Sequence, residues 1–201
     1  MPIEIELKAR VNKPEELKIR LSKLGSLHCT FEKDDVYWAF PDDAGVKLRV
    51  RHESKTNARG KTSKAVLVTC KTREIREGIE INEEKELSIS DIGTFEDILK
   101  YLGLEPGIRK KKLGSAWKCH AGGESAPILA ELSEVKGLGN GLSNCLGYFI
   151  ELEIISGVRD EQNMAKNRKL LLDLLEKLDI PREMIEARPY TEMLKELGAG
   201  D

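Results

Sequence analysis

Aromatic residues are scarce in this chain, 5% of the total, so a function built on stacked bases has few side chains to call on. Cysteine is thin as well. Cys29, Cys70, Cys119 and Cys145 stand far apart, with no Cys-x-x-Cys pair and no histidine at ligand spacing, which argues against a zinc site. His28, His52 and His120 are isolated, and surface or strand positions suit them better than catalysis. No apolar leader and no run of membrane-spanning length is visible, so the expected compartment is cytoplasmic, with no membrane partner. A basic excess is missing too: 33 Lys and Arg against 35 Asp and Glu give a net charge of -2. That balance speaks against a bulk nucleic-acid binder, while local concentrations of either sign remain open.

What the chain does have is charge, 34% of its 201 residues, beside a hydrophobic share of 40%. This is the composition of an ordered, water-soluble protein large enough for one all-β or α+β core. The opening segment IEIELKAR, residues 3–10, alternates apolar and charged residues, the period of a strand with Ile3, Ile5 and Leu7 on one face. Pro14 then starts a helix that Gly25 ends, with Leu17, Leu21 and Leu24 at helical spacing. Strand patterns follow at 28–40 and 46–53, joined by the turn PDDAG. The polar stretch SKTNARGKTSK, 54–64, reads as a mobile loop. Further strands are expected from 65–73, 78–89, 108–119, 126–135 and 148–156, with helices after Asp91 and Asp160 and a short one over YTEMLKELG.

The polar faces of these strands repeat one arrangement: Glu4/Glu6/Lys8, Arg49/Arg51, Lys71/Arg73, Glu84/Glu86, Lys110/Lys112 and Glu151/Glu153 are all i, i+2 sets. Acids group with acids and bases with bases, whereas an ordinary solvated sheet mixes signs across strands. Carboxylates two residues apart on a strand lie ~6–7 Å from one another, an uncomfortable spacing in a poorly hydrated place. A hard divalent cation, Mg²⁺ or Mn²⁺, would relieve Glu4, Glu6, Glu151 and Glu153. The basic sets would hold a polyanion, Arg as a planar fork and Lys as a point charge. Two architectures fit: a half-exposed sheet whose charges face water, or a closed barrel with its charges turned inward and its apolar faces under helices.

The motif E-x-E-x-K at Glu4, Glu6 and Lys8 resembles the signature of the CYTH family, the triphosphate tunnel metalloenzymes, which include class IV adenylyl cyclases, thiamine triphosphatases and inorganic triphosphatases. Other segments are similar to that family in the same order: DVYW with Asp35 and Tyr37, LRVR with Arg49 and Arg51, TCK with Lys71, EKELSISD with Glu84 and Glu86, IRKKK with Lys110 and Lys112, EVKGLG and FIELE with Glu151 and Glu153, and RPYTEMLKELG near the C-terminus. The resemblance implies one CYTH-like domain over 1–201, of class α+β: a closed antiparallel eight-stranded β-barrel, the triphosphate tunnel fold, with helices packed outside. It implies metal residues Glu4, Glu6, Glu151 and Glu153, with Glu84 and Glu86 as further ligands or orienting groups. Lys8, Arg49, Arg51, Lys71, Lys110 and Lys112 would clamp phosphates, and Lys8, Glu4 and Glu6 would take part in the catalytic step.

Three positions depart from the pattern: Lys112 where arginine is usual, Ser133 where an aspartate often sits, and Asn82 where a base is expected. The segment GLGNGLSNCLGYF, 137–149, is stretched and reads as a flexible loop at the tunnel mouth, since its glycines lack dinucleotide-binding spacing. The activity implied first is a class IV adenylyl cyclase, turning ATP into cyclic AMP and pyrophosphate, because the long final helix and C-terminal segment resemble the prokaryotic cyclase-like branch; the alternative is a triphosphatase acting on tripolyphosphate, thiamine triphosphate or a nucleotide. A polyphosphate- or nucleotide-binding module without turnover is the third reading. The expected partner is a small triphosphate bound by a monomer or homodimer. Tyr37, Trp38 and Trp117 are the aromatics near the charged strands.

Overall fold

The computed structural model describes residues 2–41, 47–76, 78–120, 127–139 and 142–198. Eight antiparallel strands close into a barrel: β1 (Ile3–Val11), β2 (Gly25–Ala39), β3 (Lys47–Asn57), β4 (Thr62–Arg76), β5 (Ile79–Ile89), β6 (Glu105–Cys119), β7 (Ile128–Gly139) and β8 (Leu142–Ser156). Their order around the barrel is β1-β5-β4-β3-β2-β6-β7-β8, and β8 returns to β1 through nine paired residues from Ile3↔Ser156 to Val11↔Tyr148. The expected barrel is therefore the one adopted.

Alternation decides what faces where. Ile3, Ile5, Leu7 and Ala9 turn outward with Ile150, Leu152 and Ile154, and all are buried. They pack under α1 (Pro14–Leu24), through Leu17 and Leu21, and α3 (Glu161–Lys177), through Leu171, Leu174 and Leu175. Each fully buried aliphatic side chain contributes ~1.5–3 kcal/mol, so this seam is the main apolar source of stability. On the other side α2 (Ile92–Tyr101) lays Leu99 over Val36, Trp38, Val50 and Val68. Asp91 and Asp160 cap α2 and α3, accepting from the backbone N–H of Thr94 (3.0 Å) and Asn163 (2.7 Å).

Two expectations change. The stretch 54–64 is not a loop: β3 and β4 extend through it as a hairpin, turning at 58–61. Asn57 Oδ1 accepts from the N–H groups of Arg59 (2.9 Å) and Lys61 (3.0 Å), and Gly60 takes the left-handed φ of 78° that the turn requires. Exposed residues on both faces of this tip remove the hydrophobic alternation, so the strand has no apolar signature. The segment 137–149 likewise forms the end of the β7–β8 pairing, and a register shift between Val135 and Lys136 absorbs the extra length. Residues 140–141 of that segment, and 42–45 of PDDAG, lie outside the described residues. No described helix is long and apolar enough to cross a membrane.

Candidate active site

The strand order sorts the inward charges into two walls. β7, β8, β1 and β5 are neighbours and carry Glu131, Glu151, Glu153, Glu4, Glu6, Glu80 and Glu84; β4, β3, β2 and β6 are neighbours and carry Lys71, Arg73, Arg49, Arg51, Lys33, Lys110 and Lys112. Same-sign pairs along each strand thus become opposed surfaces of one lumen. Ion pairs span it: Lys71 reaches Glu4 across β5, Lys33 reaches Glu131 across β6, and Lys112 reaches Glu151 across β7. Lys8 on the acidic wall and Asp35 and Glu53 on the basic wall are exceptions among the described residues, Glu53 lying 4.0 Å from Lys33.

Lys71 is the hub of one cluster. Its Nζ lies 3.0 Å from Glu84, 3.4 Å from Glu4 and 3.5 Å from Glu6. Burial works against its charge, but Glu6, Glu84 and Glu4 together hold its pKa above the ordinary lysine value. Arg49 joins from β3, 3.7 Å from Glu84, and donates to Thr69 Oγ1 at 2.9 Å. Lys71 does not satisfy every acid. Burial, with repulsion from Glu84 and Glu6, raises Glu4 to about 7. Burial, with repulsion from Glu4, Glu6 and Glu131, raises Glu153 to about 8. Beside Glu4 in the β1–β5 register is Asn82, wholly buried, whose amide oxygen and nitrogen both lack hydrogen-bond partners.

These donors suit a hard divalent cation: carboxylates with surplus negative charge, next to a buried amide oxygen without a partner. As they stand, no three Asp, Glu, His or Cys among the described residues converge on one point, and the Lys71 ammonium sits among Glu4, Glu6 and Glu84 instead. The six expected metal residues are not one cage. Glu4, Glu6 and Glu153 are mutual neighbours, Glu84 pairs with Lys71 and Arg49, Glu151 is taken by Lys112, and Glu86 is exposed at the rim, accepting from Thr69 Oγ1 at 3.1 Å.

A second cluster is centred on Asp35. Arg51 donates two parallel hydrogen bonds to it, Nε to Oδ1 at 2.7 Å and Nη2 to Oδ2 at 3.0 Å, and Lys110 Nζ lies 3.1 Å away while donating to Tyr37 Oη at 3.0 Å. Burial opposes ionisation, yet Lys110 and Arg51 hold the Asp35 carboxyl far below the usual range. In a third cluster Lys33 donates to both oxygens of Glu131 at 2.7 Å, and Lys112 hydrogen-bonds Glu151 and approaches Glu131 at 3.5 Å. Ser133, where an aspartate was expected, is buried with its hydroxyl unpartnered; the carboxylate on that strand face is Glu131, two residues earlier.

The C-terminal segment covers one mouth. The backbone N–H of Glu186 donates to the Lys8 carbonyl (2.9 Å), Lys8 Nζ donates to the Arg188 carbonyl (2.6 Å), and Arg73 donates to the Ala187 carbonyl and to Glu80 (2.5 Å). From the first turn of α4 (Tyr190–Glu196), Tyr190 presents its ring to Lys8, Lys110 and Lys112 at 4.5, 4.8 and 5.7 Å, and meets Phe149 edge-on at 5.0 Å. Burial, against the pull of Glu80, lowers the Lys8 pKa.

Sequence reasoning brought Glu4, Glu6, Lys8, Arg49, Arg51, Lys71, Glu84, Lys110, Lys112, Glu151 and Glu153 to one lumen, and the structure has them there. It missed Lys33, Glu80, Glu131 and the carbonyls of 187–188. The first three continue the same alternation, lying two residues from Asp35, Asn82 and Ser133, and the period itself was the signal; backbone carbonyls leave none.

A CYTH domain model matches residues 2–190. No curated protein sequence matches the chain. Among solved structures it resembles the PH1819 protein of Pyrococcus horikoshii (24% identity, TM-score 0.75, covering 96% of this chain and 99% of that one). It also resembles a candidate adenylate cyclase of Vibrio parahaemolyticus (19%, TM-score 0.68, 96% and 98%). A candidate adenylyl cyclase of Hippeastrum with dominant triphosphatase activity is similar too (17%, TM-score 0.54, 98% and 96%). At these identities the likenesses bear on the fold alone. With the signature pairs on opposite walls of a closed barrel, and a family match spanning nearly all of its length, the chain belongs to the CYTH domain family.

Proposed function

We propose that this chain is a metal-dependent triphosphatase that hydrolyses the terminal phosphoanhydride bond of a triphosphate lying in the barrel. The observation that carries it is the opposition of a basic wall, Arg49, Lys71, Lys110 and Lys112, to an acidic one where Glu4, Glu6 and Glu153 hold more negative charge than their neighbours neutralise. The basic side chains grip phosphate oxygens and offset charge on the in-line transition state. Arg51, locked onto Asp35, fixes the position of Lys110 rather than reaching for phosphate. Glu4, Glu6 and Glu153 would hold Mg²⁺ or Mn²⁺ with the Asn82 oxygen, and a bound ion supplies further charge neutralisation and lowers the pKa of water.

The water oxygen attacks the terminal phosphorus, the bridging P–O bond breaks, and orthophosphate and a diphosphate leave. The burial and repulsion that raise Glu4 to about 7 and Glu153 to about 8 in the metal-free site are what a bound divalent cation would offset, and the proton of the attacking water passes to a phosphate oxygen and leaves with orthophosphate. Lys8, tied to the Arg188 carbonyl, donates toward the phosphate chain.

Hydrolysis is preferred to cyclisation because the aromatics do not form a base pocket. Trp38 and Trp117 are buried in the outer cores, and the Tyr190 ring is buried against Phe149 and the lysines, with its hydroxyl unpartnered. The class IV cyclase reading rests on Tyr37, partly buried beside Lys110, as a ring able to meet adenine, since Phe31 beside Lys33 is buried. Tripolyphosphate and ATP, each supplied with Mg²⁺ or Mn²⁺, separate the readings: orthophosphate with a diphosphate from both is expected. Cyclic AMP and pyrophosphate from ATP would establish the cyclase instead, and no product from either would leave a binding module.

A further inference from the structure

Lys33 is absent from the phosphate-binding set described above, yet it is 5% exposed and points into the same lumen. It is paired directly with Lys112 across β2 and β6, and Lys112 is 3% exposed. Like charges facing each other across two strands are destabilising, and more so where water is excluded. Burial lowers the Lys33 pKa, with Lys112 and Arg51 pushing the same way. Carboxylates relieve both lysines: Glu131 chelates Lys33 through both oxygens at 2.7 Å and stands 3.5 Å from Lys112, which hydrogen-bonds Glu151, and buried Glu53 lies 4.0 Å from Lys33. Burial opposes the ionisation of Glu131, but Lys33 and Lys112 hold it at about 2.

Two buried lysines thus lie side by side, each hydrogen-bonded to a carboxylate of its own, Lys33 to Glu131 and Lys112 to Glu151, with Glu131 close to both. A separate observation points to a ligand. Ser133, on the Glu131 face of β7 and 1% exposed, has a hydroxyl without any partner, though buried hydroxyls are ordinarily bonded. Its pairing partner is Gly114, and a Cβ there would come within 2.2 Å of the Leu132 carbonyl oxygen, so β6 and β7 approach too closely at this point for another side chain to fill the gap. Two ammonium groups and a free hydroxyl are the donors that a phosphoryl group takes.

We propose that Lys33 and Lys112, with the Ser133 hydroxyl, form an additional phosphoryl-binding subsite of the tunnel, and that Glu131 is the resident counter-anion which a bound polyphosphate displaces. This rests on the triphosphate reading and deepens it. Lys33 becomes a determinant of affinity for the phosphate chain, and Glu131 a built-in competitor that keeps the two lysines charged and in place while the tunnel is empty.

Calorimetric titration with tripolyphosphate, without turnover and at fixed ionic strength, tests it. Charge-assisted hydrogen bonds of this kind predict K33Q about tenfold weaker in Kd or more, and K33R close to the unaltered chain. E131Q, which removes the competitor and keeps both lysines, is expected to bind more tightly, about threefold or more by the same reasoning. The double variant K33M/E131L leaves Lys112 paired with Glu151 and Glu53 with Lys55, so it retains the fold if K33Q does not, and it is expected to bind about threefold or more weaker than E131Q alone with an unchanged melting temperature. Folded K33Q binding as tightly as the unaltered chain, or K33M/E131L binding as tightly as E131Q, would overturn the subsite, as would E131Q losing affinity in step with K33Q. If the unaltered chain itself bound no tripolyphosphate, the triphosphate reading would fall and the subsite with it; normal binding with an indifferent Lys33 removes the subsite alone.

Discussion

Arg51 grips Asp35 through two parallel hydrogen bonds of 2.7 and 3.0 Å, and the Asp35 side chain is entirely enclosed. A fork so occupied is a support for the neighbouring Lys110, which shares the same carboxylate at 3.1 Å.

Removing that carboxylate strands two buried cations. D35A is therefore expected to destabilise the fold by about 3–5 kcal/mol, read as a lowered urea midpoint. The pH dependence has a definite sign. Because the folded pKa is depressed, the Asp35 contribution is fully present above the unfolded value of about 3.9 and is lost as pH falls through the folded one. Acid unfolding of the unaltered chain should thus carry a component that D35A lacks, and identical acid limbs would refute the assignment.

Glu153 and Glu4 carry the opposite sign. Their folded pKa values of about 8 and about 7 lie above the unfolded value, so their stabilising contribution is complete below about pH 4.3 and declines as pH rises through 7 and 8. E153Q should raise the melting temperature of the metal-free protein at pH 8.5 by an amount equivalent to ~1 kcal/mol or more and flatten its fall above pH 6. A melting temperature that drops instead would mean Glu153 has a cationic partner.

Activity should separate from stability at Glu4. E4Q keeps the volume of the side chain and relieves repulsion, so it should fold and melt normally while phosphate release falls about 10²-fold or more. Phosphate release in excess chelator, or full turnover by E4Q, would refute a carboxylate-bound ion.

Tyr190 is predicted to matter through its ring. Y190A removes the edge-on contact to Phe149 and the face offered to Lys8, Lys110 and Lys112, and should cost about 3–5 kcal/mol of stability. Chemical denaturation measures this, and a loss below about 1 kcal/mol would mean that the mouth repacks.

The barrel and most of the lumen were legible because one period, two residues, wrote both the core and the site: in IEIELKAR the isoleucines name the outer face and the glutamates the inner one. Where that period loses its apolar half, as in the β3–β4 tip around Asn57, it reads as loop. What the sequence hid is partnership across the lumen. Nothing in the spacing of Lys33 and Glu131 says that they meet, because strand order, not sequence distance, brings β2 and β7 to either side of β6. The grip of Lys8 on the Arg188 carbonyl was invisible for a different reason, since every residue type has that oxygen.

The closure of β1 on β8 also sets a schedule. Of the eight barrel strands, the first in the chain waits for the last before its second edge is covered, and Glu6 and Lys8 meet their register partners Glu153 and Glu151 only at that moment. Contacts of such long sequence separation make for slow folding, with an unpaired apolar strand exposed in the meantime. The charged surface of β1 then has a use before any substrate arrives: charged side chains on a waiting edge, here Glu4, Glu6, Lys8 and Arg10, oppose pairing between nascent chains. The side chains of the finished tunnel would thus guard the unfinished one.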